Sequence, residues 1–134
     1  MAKVRLLIVQ SIEGCLVEDY TQRYPSLSRE TAELLNDATF PLNENASLSM
    51  LIEGKKRKDN DVIYIIEATP ISTSIINGML RMYLIDEIII YTIPVMLDNG
   101  KQIYQSNLVK TDWKCTSTKI RKDGIVQTVF CKIK

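Results

Sequence analysis

The chain has 134 residues, of which 46% are hydrophobic and 25% are charged, and its formal net charge is +1. This balance is typical of one globular domain over residues 1–134, and its near neutrality argues against a nucleic-acid-binding or membrane-surface protein. With no histidine and three cysteines, the sequence also argues against histidine-activated nucleophiles, most zinc sites and a disulfide framework, so we expect a cytoplasmic protein without a metal ion.

The first half of the chain begins with a nearly continuous apolar run at residues 4–9, which predicts a strand buried on both faces. A turn follows at residues 11–14, and residues 20–27 read as a loop. Ser28 is a candidate N-cap for a helix that ends near Asn36. Residues 41–46 are predicted to be loop, residues 48–53 favour a helix over a strand, and residues 54–61 read as a solvated, basic turn.

The second half begins with another buried strand at residues 62–66. Pro70 is placed to open a helix, whose apolar face is predicted to contain Ile71, Ile75, Met79, Leu80 and Tyr83. A long strand over residues 88–95 follows, and residues 113–121 and 125–133 flank a turn with Gly124 in a hairpin pattern. The order of elements predicts a mixed sheet with flanking helices and an antiparallel C-terminal hairpin. No apolar stretch approaches the roughly 20 residues that a transmembrane helix needs.

Two segments carry a resemblance to a known family. The run Leu-Ile-Asp-Glu at residues 84–87, with the following Ile-Pro-Val-Met-Leu-Asp-Asn-Gly-Lys at residues 93–101, resembles a signature of the dihydrofolate-reductase-like superfamily. The turn Ser-Ile-Glu-Gly at residues 11–14 resembles the turn that follows the first strand of that family. The branch that it resembles most is the reductase domain of riboflavin-biosynthesis deaminase-reductases and their bacterial relatives. The resemblance covers the first fifteen residues and roughly the last half of the chain, and residues 18–60 do not match.

This resemblance implies a three-layer α/β fold and a reductase that transfers hydride from NADPH to a pterin- or pyrimidine-like heterocycle. It places Ser11 and Glu13 on the substrate side, with Glu13 as the candidate catalytic residue. A turn glutamate that points to water is the more ordinary interpretation of Glu13. The resemblance places Thr69, Ser72, Thr73 and Gly100 beside the cofactor.

The segment after the second buried strand departs from the family where the cofactor should bind. The family has paired glycines there, which let the backbone approach the pyrophosphate of the cofactor. This chain has Glu67, whose charge repels phosphate, and Pro70, which lacks an N–H donor. The family's glycine-arginine-x-threonine segment has no counterpart, and the first glycine of its glycine-x-glycine turn is replaced by Asp98.

The sequence and its resemblance to this family leave two functions open. The first is a reductase with a degenerate NADPH site, in which the basic run at residues 55–58 is the one patch available for the 2′-phosphate. The second is a catalytically inactive relative that kept the fold as a binding or structural protein. Asp86 and Glu87 are interpreted as structural rather than catalytic, and the three cysteines as small apolar residues. In either case we expect a homodimer formed through the C-terminal hairpin.

Overall fold

The structure is a computed structural model that describes residues 2–57, 61–105 and 108–133. Its elements follow one another along the chain in a single series. They are β1 (Lys3–Gln10), α1 (Tyr20–Arg23), α2 (Pro25–Asp37), β2 (Phe40–Leu42), α3 (Leu48–Lys56), β3 (Ile63–Glu67), α4 (Thr73–Arg81), β4 (Glu87–Thr92), β5 (Trp113–Ile120) and β6 (Val126–Lys132).

The six strands form one mixed sheet in the order β2-β3-β1-β4-β6-β5. Strands β2, β3, β1 and β4 run parallel to one another, whereas β6 is antiparallel to β4 and β5 is antiparallel to β6. The predicted mixed sheet with an antiparallel C-terminal hairpin is therefore confirmed. Among the described residues, no helix is long and apolar enough to cross a membrane.

Helices cover both faces of the sheet, so the predicted three layers are present. On one face, Leu6 and Ile8 of β1 pack with Leu51 of α3 and Met79 of α4. On the other face, the side chains of β1 that alternate with these pack against α1 and α2, as Leu7 does with Leu27. Burial on both faces explains why β1 reads as a continuous apolar run instead of an alternating one.

Four local predictions for the first half of the chain are corrected. Residues 20–27, predicted to be loop, contain α1 and the start of α2, because Pro25 occupies the first turn of that helix and Ser28 lies inside it. Phe40–Leu42 is a short strand, not loop. The basic run begins inside α3, where Lys55 forms an ion pair with Asp86. Lys58 lies outside the described residues.

In the second half, α4 begins at Thr73, three residues after the predicted start at Pro70. Its buried face contains Ile76, Asn77 and Met79, whereas Ile71 is 69% exposed. The strand predicted at residues 88–95 ends at Thr92, because the chain leaves the sheet before Pro94. Asp86 and Glu87 lie at the amino-terminal end of β4, where Asp86 accepts from the N–H of Val4 at 2.8 Å.

Candidate functional site

Three loops meet at the carboxyl edge of the parallel strands, which is where open α/β sheets bind their ligands. They follow β1 (residues 11–19), β3 (residues 68–72) and β4 (residues 93–102). The loops after β1 and β4 are joined by backbone hydrogen bonds, from Ile12 to Val95 at 3.0 Å and from Leu16 to Lys101 at 2.9 Å. These bonds make the two loops one wall of the cleft.

Ser11 and Glu13 hold this wall together. Ser11 is fully buried, and its Oγ accepts from the N–H of Cys15 at 3.2 Å. The carboxylate of Glu13 accepts from the N–H of Leu97 at 2.8 Å. Hydrogen bonds from Ser11, from its own N–H and from Leu97 hold the pKa of Glu13 below its ordinary value, so it stays ionised. Both side chains thus have hydrogen-bond partners inside the chain.

Gly100 lies against Cys15. A Cβ at position 100 would lie 2.6 Å from the Cβ of Cys15 and 3.3 Å from that of Leu97. Glycine is therefore required by the contact between the two joined loops. Among the four residues predicted to contact the cofactor, Gly100 is the one that lies on the wall opposite β3.

Of the other three residues predicted to contact the cofactor, Thr69 and Ser72 lie in the compact turn before α4, and Thr73 is the first residue of that helix. The N–H of Thr69 donates to the Oγ of Ser72 at 2.8 Å, and that hydroxyl donates to the carbonyl of Glu67 at 2.8 Å. The hydroxyl of Thr73 donates to the carbonyl of Pro70 at 3.4 Å. These groups satisfy one another, so the turn offers fewer N–H donors to an anion than a glycine-rich turn would.

Tyr20 closes the cleft from the side of α1. It is 6% exposed, and its hydroxyl donates a short hydrogen bond to the carboxylate of Glu67. Burial, followed by this hydrogen bond, raises the pKa of Tyr20, so the hydroxyl remains protonated as the donor. No sequence pattern identifies this residue, because residues 18–60 match no family pattern and Tyr20 reads as part of a loop.

Residues Leu16, Val17 and Glu18 separate two cavities in the cleft. The cavity beneath α1 has a volume of about 290 Å³, and its polar lining comes from Glu18, Tyr20, Thr21, Glu67 and Thr69. The cavity beside the loop after β4 has a volume of about 240 Å³, and its acidic lining comes from Glu18, Asp19 and Asp98. Among the described residues that line either cavity, none is a lysine or arginine.

These residues do not fit NADPH. At the end of β3, where the resemblance places the pyrophosphate of the cofactor, Glu67 lines the cavity, and like charges repel strongly where water is partly excluded. The basic residue Lys55 cannot compensate, because it is paired with Asp86 at the opposite edge of the sheet. The cleft is instead suited to a ligand that is positively charged or rich in hydrogen-bond donors. Among the described residues, no cluster of acidic, cysteine or histidine side chains could hold a metal ion.

Several solved structures share this architecture. The chain superposes on a protein assigned to riboflavin biosynthesis from Shewanella sp. PV-4 with a TM-score of 0.69 and 12% identity, over 98% of this chain and 99% of that one. It superposes on Acinetobacter baumannii RibD with a TM-score of 0.72 and 11% identity, covering 100% of this chain but 59% of RibD. Dihydrofolate reductase from Enterococcus faecalis, solved with NADP(H), gives 0.66 and 7% identity over 98% of this chain and 97% of that one.

The chain therefore has a dihydrofolate-reductase-like fold, which it shares with these riboflavin-biosynthesis proteins and with dihydrofolate reductase. No protein-family model and no curated protein sequence matches the chain. At 7–12% identity the likeness concerns the fold, and the activity has to be argued from the cleft.

Proposed function

We propose that this chain is a small-molecule-binding protein built on the dihydrofolate-reductase-like fold, and that it does not use NADPH. Its ligand is an organic cation or an amino-substituted heterocycle that binds at the cleft beneath α1. The observation that carries this proposal is the position of Glu67, whose carboxylate lines the cavity at the end of β3. A planar amidinium or aminoheterocycle can donate two parallel hydrogen bonds to such a carboxylate.

The alternative is an NADPH-dependent reductase of a pterin- or pyrimidine-like heterocycle. The fold shared with dihydrofolate reductase favours it, and so does the location of both cavities at the carboxyl edge of the parallel strands. In that case Glu13 and Ser11 would contact the substrate, while Thr69, Ser72, Thr73 and Gly100 would lie beside the cofactor. The acidic lining of the cleft argues against this alternative.

A titration followed by thermal unfolding separates the two functions. If NADPH bound with a Kd of about 100 μM, then about 1 mM of it would stabilise the protein by roughly 1.4 kcal/mol. We expect no shift with NADPH. Benzamidine at about 10 mM should raise the melting temperature, and benzamide, its uncharged analogue, should not. A clear stabilisation by NADPH would overturn the proposal in favour of the reductase.

The variant Glu67→Gln locates the binding. It keeps a polar side chain of the same length but removes the charge, so benzamidine should no longer stabilise the protein. The matched control is Glu53→Gln, since Glu53 lies on α3 and its side chain is 70% exposed. If benzamidine stabilised both variants equally, its binding site would lie elsewhere.

We also propose that the protein is a homodimer that pairs through the free edge of β5. The support is that residues 114–120 are exposed on both faces of this terminal strand, because an unpaired strand edge readily accepts another strand. Light scattering should give twice the mass of the chain. Changing Ile120, which is 76% exposed, to Asp should weaken the dimer.

The cytoplasmic location and the single domain over residues 1–134 stay predictions.

A further inference from the structure

A second cavity lies away from the cleft, on the sheet face that α3 and α4 cover. It has a volume of about 320 Å³ and is bounded by α4, β4, β6 and the segment that leads into β5. Three aromatic rings line it, those of Tyr104, Trp113 and Phe130, together with aliphatic side chains such as Ile90. Among the described residues that line it, none carries a charge.

The wall that contains Tyr104 is held in place by a buried amide. Asn77 of α4 is fully buried, and its amide nitrogen donates to the carbonyl of Ile103 at 2.8 Å. Its amide oxygen accepts from the N–H of Gln105 at 3.0 Å. Tyr104 therefore lies between two residues whose backbones are fixed to the helix, and its ring stands at a defined position.

The opposite wall is fixed in a similar way. The indole N–H of Trp113 donates to the Oγ of Thr111 at 2.8 Å. This bond satisfies the polar atom of the ring and leaves its apolar surface to line the cavity. Tyr104 is 42% exposed, and the partial burial of its ring raises the pKa of its hydroxyl, which stays neutral as well. Small-molecule sites are mostly apolar, contain few polar groups and are largely pre-formed, with volumes of about 300–1,000 Å³.

We infer that this cavity is a second ligand site, which binds an uncharged, planar aromatic molecule. The absence of charge in the described lining excludes an ionic ligand on desolvation grounds. The three rings offer faces and edges on which an aromatic ligand stacks. This site is independent of the proposed function of the cleft, since the two share no lining residue.

The sole tryptophan of the chain is Trp113, so its fluorescence reports on this cavity directly. The probe is N-phenyl-1-naphthylamine, an uncharged aromatic dye that fluoresces in apolar surroundings and accepts excitation energy from tryptophan. We expect saturable binding at one dye per chain, with energy transfer from Trp113. Tyr104→Ala should weaken binding about tenfold, the upper range for an aromatic pair.

The matched control is Phe40→Ala, which removes an exposed aromatic side chain from β2, at the opposite edge of the sheet, and should leave dye binding unchanged. Circular dichroism of Tyr104→Ala verifies that the variant folds. Equal dye affinity in wild type and Tyr104→Ala would overturn the inference. It would also be overturned if dye bound only on dilution to the monomer, because the cavity would then be an interface between two copies of the chain.

Discussion

Asn77 is the residue on which the geometry around α4 depends most directly. It is fully buried within a helix face that is otherwise apolar. Its side chain makes three hydrogen bonds, to the carbonyls of Thr73 and Ile103 and from the N–H of Gln105. A buried polar side chain is stabilising only if its groups are paired, and removing it leaves its partners unsatisfied.

Changing Asn77 to Ala should therefore lower the free energy of unfolding by about 2–3 kcal/mol. The carbonyl of Ile103 and the N–H of Gln105 would lose their partners in a buried region. Urea denaturation measures the change. Ser74→Ala is the control, since Ser74 is exposed on the same helix and should change stability by less than about 0.5 kcal/mol. A loss below 1 kcal/mol for Asn77→Ala would mean that water replaces these bonds.

Asn77 also shows why the buried face of α4 could not be predicted correctly from the sequence. Helical periodicity predicted a face that included Ile71 and Ile75, but the buried face is rotated towards Ile76 and Asn77. A polar residue reads as solvent-exposed unless its partners are known. Two of the three partners of Asn77 lie 26 and 28 residues away on a loop, and no local pattern carries that information.

At the scale of elements, one arginine attaches the C-terminal hairpin to α2. The side chain of Arg121 is 8% exposed, and its Nη1 lies 2.8 Å from Oε1 of Glu30. The other carboxylate oxygen of Glu30 accepts from the hydroxyl of Tyr91 at 2.5 Å. Gln127 of β6 donates to the same hydroxyl at 2.8 Å. Helix α2, strands β4 and β6 and the hairpin turn thus share one partly buried polar network.

A double-mutant cycle with Glu30→Gln and Arg121→Met tests this network. Either single change should lower the free energy of unfolding. Glu30→Gln leaves the buried Arg121 with Asp123 as its remaining carboxylate partner, and Arg121→Met leaves the half-buried Glu30 without its cation. The double variant should lose less than the sum, with a coupling energy of about 1–3 kcal/mol. Additive losses in urea denaturation would show that the two side chains act independently. Lys56 and Glu53 form an exposed ion pair on α3, and the same cycle there should give a coupling of at most about 1 kcal/mol.

Elements were predictable where a strong pattern covered enough residues. The apolar runs of β1 and β3 predicted the bounds of those strands closely, and the glycine turn did the same for the two strands of the hairpin. The strand β2 has three residues, of which two are exposed, so it has no burial pattern to recognise. It forms by pairing with the edge of β3. The one-turn helix α1 is held by packing of Tyr20 in the core and by its bond to Glu67, which are tertiary contacts.

The candidate site was predictable in its location but not in its contents. The turn after β1 and the missing glycines after β3 pointed to the carboxyl edge of the sheet, where the cavities lie. The contacts inside the cleft depend on Tyr20 and Glu18, which belong to a segment without a recognisable pattern. Glu67 could be identified as repulsive to phosphate from sequence, but its hydrogen-bond partner could not.

At the scale of the whole molecule, burial is concentrated at the centre of the sheet. Residues of β1 such as Leu6, Leu7 and Ile8 are fully buried between two helical layers, and β1 pairs with a strand on each side. The far strand β5 has exposed residues on both faces and pairs on one side only, with β6. Stability should therefore fall from β1 towards β5.

Amide hydrogen exchange should reveal this gradient. The amides of Leu6, Leu7 and Ile8 should exchange only through global unfolding, with an opening free energy equal to that from urea denaturation. The amides of β5 that bond to β6 should open locally, at least about 2 kcal/mol more easily, because few buried apolar contacts hold that strand. If the protein is the proposed homodimer, raising the protein concentration should slow amide exchange in β5 and leave the exchange of β1 unchanged. Uniform protection across all six strands, independent of concentration, would contradict both the gradient and pairing through β5.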